Sequence, residues 1–381
     1  MKIAVNARFL LPGKLEGLGW YTHELVRRMA ALHPEDDFIL LFDRPFDPAF
    51  VYGDNVWPLV LFPPSRHPFL WYWWFEHAVP RALRQSAAEV FFSPDSYLSL
   101  STSVPTVMTT HDIVPLHSPE QLPFWTRHYY SHFLPRFLRR ADQVVTVSEY
   151  VKSDILQTVP GVEAARVHVI GNGCRSGFRP LSLPEQEAVR REFSQGKPYF
   201  FYTGAIHPRK NIPRLIRAFD QFKKTTSSPA LLILAGRFAW NTGEVHTAVQ
   251  QSPYRSDIVL TGYMPEEQLV RLMAAAYAFI YVSLSEGFGL PPLEAMHCEV
   301  PVIAANTTSL PEVCGEAALL TDPYSEMAIA NSMKSLWDDP QLATILVGKG
   351  RTQRLKFSWD KAAAEVYDQI KRAADPPPDS K

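Results

Sequence analysis

Short apolar runs that alternate with helical patterns limit what this chain can fold into more than any other feature of it. Because a helix between two strands returns the chain to the same end of a sheet, such alternation predicts parallel β-sheets flanked by helices. In the first half, strands are predicted at 2–6, 38–42, 56–60, 89–92, 105–109, 143–147 and 167–170. In the second half, they are predicted at 199–203, 230–235, 257–260, 278–282, 301–304 and 317–320.

The length of the chain and one break in its pattern predict two α/β domains. A chain of 381 residues that is 46% hydrophobic can build two cores. The segment 171–186 interrupts the periodicity with glycine and proline and is the predicted linker. We place the first domain at 1–176 and the second at 177–360. A last helix is predicted at 361–373, followed by a disordered tail at 374–381.

Charge and cysteine content argue against several classes of protein. The chain has 38 Lys/Arg and 39 Asp/Glu, balanced in both halves, so no basic nucleic-acid surface is expected. Cys174, Cys298 and Cys314 lack the spacing of metal ligands and are too few for a disulfide framework, which predicts reduced thiols in the cytoplasm. No signal peptide and no apolar run of about 20 residues is found, so no transmembrane helix is expected.

The run SEGFGLPPLEAM, at 285–296, carries two carboxylates around a Gly/Pro turn. An apolar run precedes it, and prolines suited to a first helical turn follow it. Gly287 and Gly289 allow the backbone to approach a ligand, and the free amides of a helix N-terminus attract anions. With Glu286 and Glu294 at its two ends, the loop suits a diphosphate flanked by hydroxyl groups, which describes a nucleotide sugar. An ordinary strand–loop–helix junction is the alternative.

Two adjacent cations, Arg209 and Lys210, lie between the apolar run YFFYTG and the helical pattern NIPRLIRAF. Cations beside a helix N-terminus suit a diphosphate and would stabilise the charge that grows on it as a leaving group. The chain contains no Asp-x-Asp motif, so a metal clamp has no obvious ligands. Metal-independent chemistry is therefore expected, with an exposed basic pair at a helix start as the alternative.

These motifs together resemble the retaining GT-B glycosyltransferases of glycosyltransferase family 4. Glu286 and Glu294 match the family's Glu-x7-Glu signature, and the resemblance covers roughly 1–372. It implies a GT-B fold, in which two Rossmann-like domains face each other across a cleft and the last helix crosses back to the N-terminal domain. Further blocks in family order are MKIAVNARFL, THDIVPLHSPE, VTVSEYVKSDI, GNGCRSGFRP, YTGAIHPRKNIPRLIRAF, LTGYMPEEQL and VPVIAANTTSLPEV.

The resemblance also implies roles for individual residues. Glu294 would bind the ribose, Glu286 a hydroxyl of the donor sugar, and His111 would lie against that sugar. Asp112 would either orient the acceptor or hold its own loop. The candidate catalytic residues are His111, Asp112, Arg209, Lys210 and Glu286. The candidate donor-binding residues are Gly17, Gly19, Gly204, Arg209, Lys210, Gly262, Tyr263, Met264, Glu286, Gly287, Phe288, Gly289, Leu290 and Glu294.

The implied activity is metal-independent transfer of a hexose, with retention, from a nucleotide diphosphate sugar to a glycan or polyprenyl-linked acceptor. GDP-mannose is the favoured donor, and a UDP-sugar carrying glucose, galactose or N-acetylglucosamine is the alternative. A same-fold epimerase would turn over sugar without an acceptor, and a non-catalytic binding protein would bind without turnover. Gly17 and Gly19 match the family's glycine loop between the first strand and the first helix, where they are expected to form a tight turn that lets a diphosphate or acceptor approach. A dehydrogenase is disfavoured because GLGWYT, at 17–22, lacks the third glycine of G-x-G-x-x-G.

Two stretches rich in aromatic and basic residues, 67–83 and 123–140, leave a further alternative open. As ordinary helices, they would bury their aromatic rings in the core of the N-terminal domain. They could instead rest on the inner face of a membrane and receive a lipid-linked acceptor.

Overall fold

The computed structural model of the protein describes residues 1–13, 15–238 and 243–375. The strands are β1 (Lys2–Asn6), β2 (Asp37–Phe42), β3 (Val56–Val60), β4 (Val90–Ser93), β5 (Thr106–Thr110), β6 (Gln143–Thr146), β7 (Val167–Val169), β8 (Tyr199–Thr203), β9 (Leu231–Ala235), β10 (Ile258–Gly262), β11 (Ala278–Tyr281), β12 (Val302–Ala305) and β13 (Ala318–Thr321). The helices are α1 (Gly17–Leu32), α2 (Pro68–Trp73), α3 (Val79–Gln85), α4 (Val114–His117), α5 (Phe124–Arg140), α6 (Glu149–Thr158), α7 (Leu183–Ser194), α8 (Ile212–Thr226), α9 (Gly243–Gln251), α10 (Glu266–Ala274), α11 (Leu290–His297), α12 (Leu310–Cys314), α13 (Glu326–Asp338), α14 (Pro340–Gln353) and α15 (Trp359–Ala374).

All the predicted strands are present, with ends within two residues of the predicted ones. Six of these strands are short runs in which every residue is buried, among them β8, β9, β11 and β12. Strands of a parallel sheet are covered by helices on both faces, so their residues are apolar throughout rather than alternately. The two parallel sheets confirm the predicted α/β class.

The chain divides into two compact units. Met1–Gly173 and the segment that begins at Ser358 form the first, and Cys174–Phe357 forms the second. The division falls three residues before the predicted end of the first domain. Within the predicted linker, 183–186 are instead the first turn of α7, because Ser182 and Glu185 form a capping box at its N-terminus.

Helix α15 belongs to the first unit, where it packs on α1 and contacts β4, β5 and β6. Arg28 Nε donates to Asp360 Oδ1 at 2.6 Å, and the Tyr367 hydroxyl donates to Asp36. The helix is longer than predicted at both ends and includes Ala374, so the predicted tail starts too early. The rest of that tail from 376 lies outside the described residues.

The first unit has a sheet of seven parallel strands in the order β3-β2-β1-β4-β5-β6-β7. The chain builds outward from β1 to β3 and then returns to place β4 on the other side of β1. The strand order therefore reverses between β1 and β4. Ligands of doubly wound sheets bind at such reversals, beyond the carboxyl ends of the strands.

The second unit repeats this arrangement with six parallel strands in the order β10-β9-β8-β11-β12-β13. Its reversal lies between β8 and β11. The loops that follow these two strands must therefore lie next to each other at the carboxyl edge of the sheet.

Glycines let the loops at this edge pack closely. Gly204 N donates to Ala235 O at 3.0 Å, which joins the loops after β8 and β9. Gly236 has φ +157°, and a Cβ atom there would lie 1.9 Å from Gly204 O. Only glycine fits at this contact, which fixes the backbone just before Arg209 and Lys210.

Candidate active site

Lys210 and Glu286 come together at the reversal point of the second sheet, on the loops after β8 and β11. Their side chains are buried, with whole-residue exposures of only 8% and 7%. Lys210 Nζ donates to Glu286 Oε1 and, at 2.7 Å, to Tyr281 Oη. Burial by itself would raise the pKa of Glu286, but the charges of Lys210 and Arg209 lower it to about 2. Glu286 is therefore an ionised acceptor at neutral pH.

Arg209 ties the loop after β8 to the loop after β11. Its Nη1 donates to Ser285 O at 3.4 Å, and its carbonyl accepts from Leu284 N at 2.8 Å. His207 Nδ1 accepts from Arg209 N at 3.3 Å and caps the short 3-10 turn Pro208–Lys210. The two predicted cations thus lie on a loop that is hydrogen-bonded to the loop after β11.

Asn211, which the sequence reasoning missed as a site residue, anchors the same loop. It is buried and has φ +62°, a left-handed backbone that asparagine adopts more readily than most residues. Its Nδ2 donates to Val282 O at 3.1 Å and to Pro323 O at 2.7 Å. One side chain therefore joins the loops after β8, β11 and β13. An asparagine directly before the helical pattern was the available sequence signal.

Thr308 and Ser309 hold the loop that carries Glu286, and they also escaped the sequence reasoning. Glu286 N donates to Thr308 Oγ1 at 3.2 Å. The fully buried Ser309 Oγ lies 2.9 Å from Glu286 O and 2.8 Å from Phe288 O, so its hydroxyl hydrogen is shared between these carbonyls. The backbone on either side of the carboxylate is therefore fixed by side chains that follow β12.

The Gly287–Leu290 backbone leads from this loop into α11. Gly289 has φ +110°, and a Cβ atom there would lie 2.6 Å from Leu310 Cδ2. The ring of Phe288 is buried and packs edge-on against Phe357, with centroids 5.4 Å apart. At Phe288, the backbone rather than the packed side chain is the candidate ligand contact.

Glu294 lies in the second turn of α11, buried against a residue that the sequence reasoning did not connect with it. Its Oε1 accepts from Arg175 Nε at 2.9 Å and from Nη2 at 2.7 Å. Arg175 Nη1 also lies 3.2 Å from Glu266 Oε1. Burial raises the pKa of Glu294, and Arg175 opposes that rise. Arg175 therefore orients the carboxylate that is predicted to bind the ribose, and it favours the charged form of that carboxylate.

The loop after β10 lies at the same edge of the sheet. Gly262 has φ +71°, and its carbonyl accepts from Gly236 N at 2.9 Å, next to the loops after β8 and β9. Tyr263 is exposed and Met264 is half-buried. The predicted donor-binding residues of the second unit thus lie on loops at one edge of one sheet, except Leu290 and Glu294, which lie in the first two turns of α11.

In the first unit, His111 and Asp112 follow β5. A carbonyl only accepts, so His111 Nε2 carries the proton in its 2.9 Å hydrogen bond to Pro94 O. The imidazole meets the ring of Tyr21 edge-on at 4.5 Å, and desolvation lowers its pKa. Asp112 Oδ1 accepts from Val114 N at 3.1 Å, which supports a loop-holding role for this side chain.

Gly17 and Gly19 were predicted to form a tight turn between the first strand and the first helix, and this part of the prediction is wrong. Helix α1 begins at Gly17, so both glycines are helical. A Cβ atom on Gly19 would lie 2.6 Å from Phe9 O, whereas one on Gly17 would contact nothing within 4 Å. Gly19 is therefore required for close packing of α1 on the β1–α1 loop.

Neither a metal-binding cluster nor a membrane-spanning helix occurs in the part of the chain that the structure describes. There, no three or more His, Cys, Asp or Glu side chains are grouped to hold a metal ion. None of its helices combines the length and apolar character needed to cross a bilayer. Cys174, Cys298 and Cys314 are free thiols.

Two sequence families cover almost the whole chain. "Glycosyltransferase Family 4" matches residues 15–176, and "Glycosyl transferases group 1" matches residues 185–353. O-antigen chain mannosyltransferase B of Escherichia coli is 32% identical over 94% of this chain and 96% of its own length.

Solved structures share the fold at lower sequence identity. Sucrose-phosphate synthase from Thermosynechococcus elongatus superposes with a TM-score of 0.80 at 20% identity, covering 98% of this chain and 99% of its own. HepE of Anabaena, solved with UDP-glucose, has a TM-score of 0.75 at 19% identity, covering 97% and 99%. The chain therefore belongs to glycosyltransferase family 4 and is a glycosyltransferase with the GT-B fold.

Proposed function

We propose that this protein transfers mannose from GDP-mannose to a glycan acceptor of the O-antigen type, with retention of the anomeric configuration and without a metal ion. The observation that carries the proposal is the buried Lys210–Glu286 pair, with Arg209 beside it, at the point where the strand order of the second sheet reverses. A nucleotide sugar needs cations for its diphosphate and acceptors for its hydroxyls, and this site supplies both within two adjoining loops.

The cations act on the leaving group. As the bond between sugar and phosphate breaks, negative charge grows on the nucleoside diphosphate. Lys210 and Arg209 are already ordered by their contacts with Glu286 and Ser285, so little reorganisation is needed when this charge appears. In the proposed reaction they therefore stabilise the transition state more than the bound donor.

The carboxylates recognise hydroxyl groups. An ionised carboxylate only accepts hydrogen bonds, so Glu286 would accept from a hydroxyl of the donor sugar and Glu294 from the ribose. Because Glu286 is assigned to this role, no nucleophile for a covalent intermediate is assigned. The acceptor oxygen would attack on the face from which the diphosphate departs, and a phosphate oxygen would take its proton.

Mannose as the sugar and a glycan as the acceptor rest on the similarity to the E. coli O-antigen mannosyltransferase over nearly the full length of both chains. Incubation with GDP-mannose, UDP-glucose, UDP-galactose or UDP-N-acetylglucosamine, with and without glycan and polyprenyl-linked acceptors, tests this directly by mass spectrometry. We expect acceptor-dependent transfer from GDP-mannose. Sugar turnover without acceptor would indicate an epimerase, and binding without turnover a binding protein.

We expect activity to survive EDTA treatment followed by dialysis. Lys210 and Arg209 supply the positive charge that a divalent cation would otherwise bring to the diphosphate. Initial rates before and after treatment, with a metal-dependent glycosyltransferase treated in parallel, provide the comparison. Loss of all activity that only a divalent ion restores would contradict the cationic mechanism.

A further inference from the structure

In the first unit, the aromatic residues of the stretches 67–83 and 123–140 lie partly in the core and partly on the surface. Trp74, Phe75, Tyr129 and Phe137 are buried, as expected of ordinary helices. Five other rings are not: Phe69, Tyr72, Trp73, Phe124 and Trp125 are between 43% and 56% exposed. Packing into the core therefore accounts for only part of this aromatic content.

The exposed rings of the two helices adjoin each other. Phe69 on α2 lies 5.1 Å from Trp125 on α5, measured between ring centroids, and Trp125 lies 5.1 Å from Phe124. Tyr72 contacts Phe133 of α5 at 6.0 Å. Phe69, Tyr72 and Trp73 are spaced as neighbours on one side of a helix. The exposed aromatic residues of α2 and α5 thus form one surface rather than scattered positions.

This surface is also basic. Helix α5, FWTRHYYSHFLPRFLRR, contains four arginines, two histidines and no carboxylate. Its exposed residues Trp125, His128, His132 and Arg136 recur every three or four positions, so they form a stripe along one side. The Arg127 guanidinium lies 5.6 Å from the centroid of the Phe124 ring.

A shallow groove of 530 Å³ follows the stripe, lined by Pro119, Arg127, His128, Ser131 and His132. The carboxylate of Glu76, which follows α2, is engaged elsewhere, since its Oε1 accepts from Leu100 N at 2.9 Å. The groove therefore lies against Arg127 and the two histidines of α5. We name the whole surface the aromatic–basic face; it consists of Phe69, Tyr72, Trp73, Phe124, Trp125, Arg127, His128, His132 and Arg136.

We propose that the aromatic–basic face docks this protein on a membrane surface that contains anionic phospholipid. Aromatic side chains are favoured at the level of the lipid headgroups, where one part of the ring is apolar and another is hydrated. Arginines near an anionic leaflet are attracted to its phosphates. A face with exposed rings, arginines and no carboxylate on α5 is complementary to such a surface, and this docking does not depend on which donor sugar is used.

Vesicle flotation of the purified full-length protein tests the proposal, with no donor or acceptor present. Wild-type protein should bind phosphatidylglycerol-containing vesicles more tightly than vesicles of pure phosphatidylcholine. Phe69→Ser/Trp125→Ser should weaken binding to both kinds about tenfold or more, because two interfacial rings are lost. Arg127→Gln/Arg136→Gln should remove the preference for phosphatidylglycerol. All variants should keep wild-type affinity for GDP in calorimetry, so failure of docking is distinguishable from failure of the donor site.

Two variants with substitutions outside the aromatic–basic face serve as matched controls. Trp57→Ser removes a ring that is 56% exposed on edge strand β3, and Arg351→Gln removes an exposed arginine of the second unit. Both should bind vesicles like the wild type. Absence of wild-type binding, or equal losses in the controls, would overturn the proposal. A wild-type dimer in ultracentrifugation that Trp125→Ser converts to monomer would assign the face to a second copy instead.

Discussion

Replacing Lys210 with methionine should lower kcat by about 10²–10³, the effect of losing one donor aimed at developing negative charge. The dissociation constant of the donor should rise by a smaller factor, because this charge interacts more strongly with the departing diphosphate than with the intact donor. Single-turnover rates at saturating GDP-mannose, together with calorimetric titration of GDP, separate the two quantities.

A variant that lacks only Lys210 would also be less stable. Without Lys210, the buried Glu286 loses its hydrogen-bonded cation, so burial raises its pKa and the fold is destabilised. The double variant Lys210→Met/Glu286→Gln removes the uncompensated charge and should recover thermal stability without recovering turnover. Lys224→Met, an exposed position on α8, is the control for the same substitution. Normal turnover of the stable Lys210 variant would place the diphosphate site elsewhere.

Replacing Glu294 with glutamine should weaken binding of a nucleoside diphosphate by at least tenfold. Two charge-assisted hydrogen bonds to the ribose are lost, each worth about 1.5–3 kcal/mol, and the amide recovers part of this. The comparison that isolates the ribose uses GDP and its 2′-deoxy and 3′-deoxy analogues. Wild-type protein should discriminate against at least one analogue, and the variant should not. Equal discrimination by both would show that Glu294 does not contact the ribose.

Arg175→Gln should shift the pH dependence of nucleoside diphosphate binding to higher pH. Burial already raises the pKa of Glu294, and loss of the guanidinium raises it further. Affinity that needs the carboxylate is lost as pH falls through this pKa, so in the variant the loss should begin at a higher pH. Arg179→Gln, which removes an exposed arginine from the same segment, is the control. If the affinities of the wild type and the Arg175 variant fall over the same pH range, a positioning role for Arg175 is contradicted.

The features that could be predicted from the sequence are those that residues close together in the chain determine. The strands were found because buried parallel strands are short apolar runs bounded by turns. The loop and helix that carry Glu286 and Glu294 could be predicted because only seven residues separate these two carboxylates. The reversal of strand order between β8 and β11, in contrast, depends on pairing between distant segments, so only the structure shows why Lys210 meets Glu286.

Residues that support the site from distant parts of the chain were missed for the same reason. Arg175 reaches Glu294 across more than a hundred positions, and Thr308 and Ser309 reach the Glu286 loop from beyond β12. No regular spacing in the sequence links these residues to their partners, so a sequence pattern could not reveal the contacts. The error at Gly17 arose because glycines suggest a turn, whereas α1 tolerates one at its first position.

The anomeric configuration of the product tests the central claim, retaining glycosyl transfer, most directly. Proton and carbon NMR of the product formed from GDP-α-mannose and a glycan acceptor reports it through the coupling constant at the anomeric carbon. Attack on the face that the diphosphate leaves predicts an α-mannoside. A β-mannoside would contradict the front-face mechanism and the roles assigned to Glu286 and Lys210.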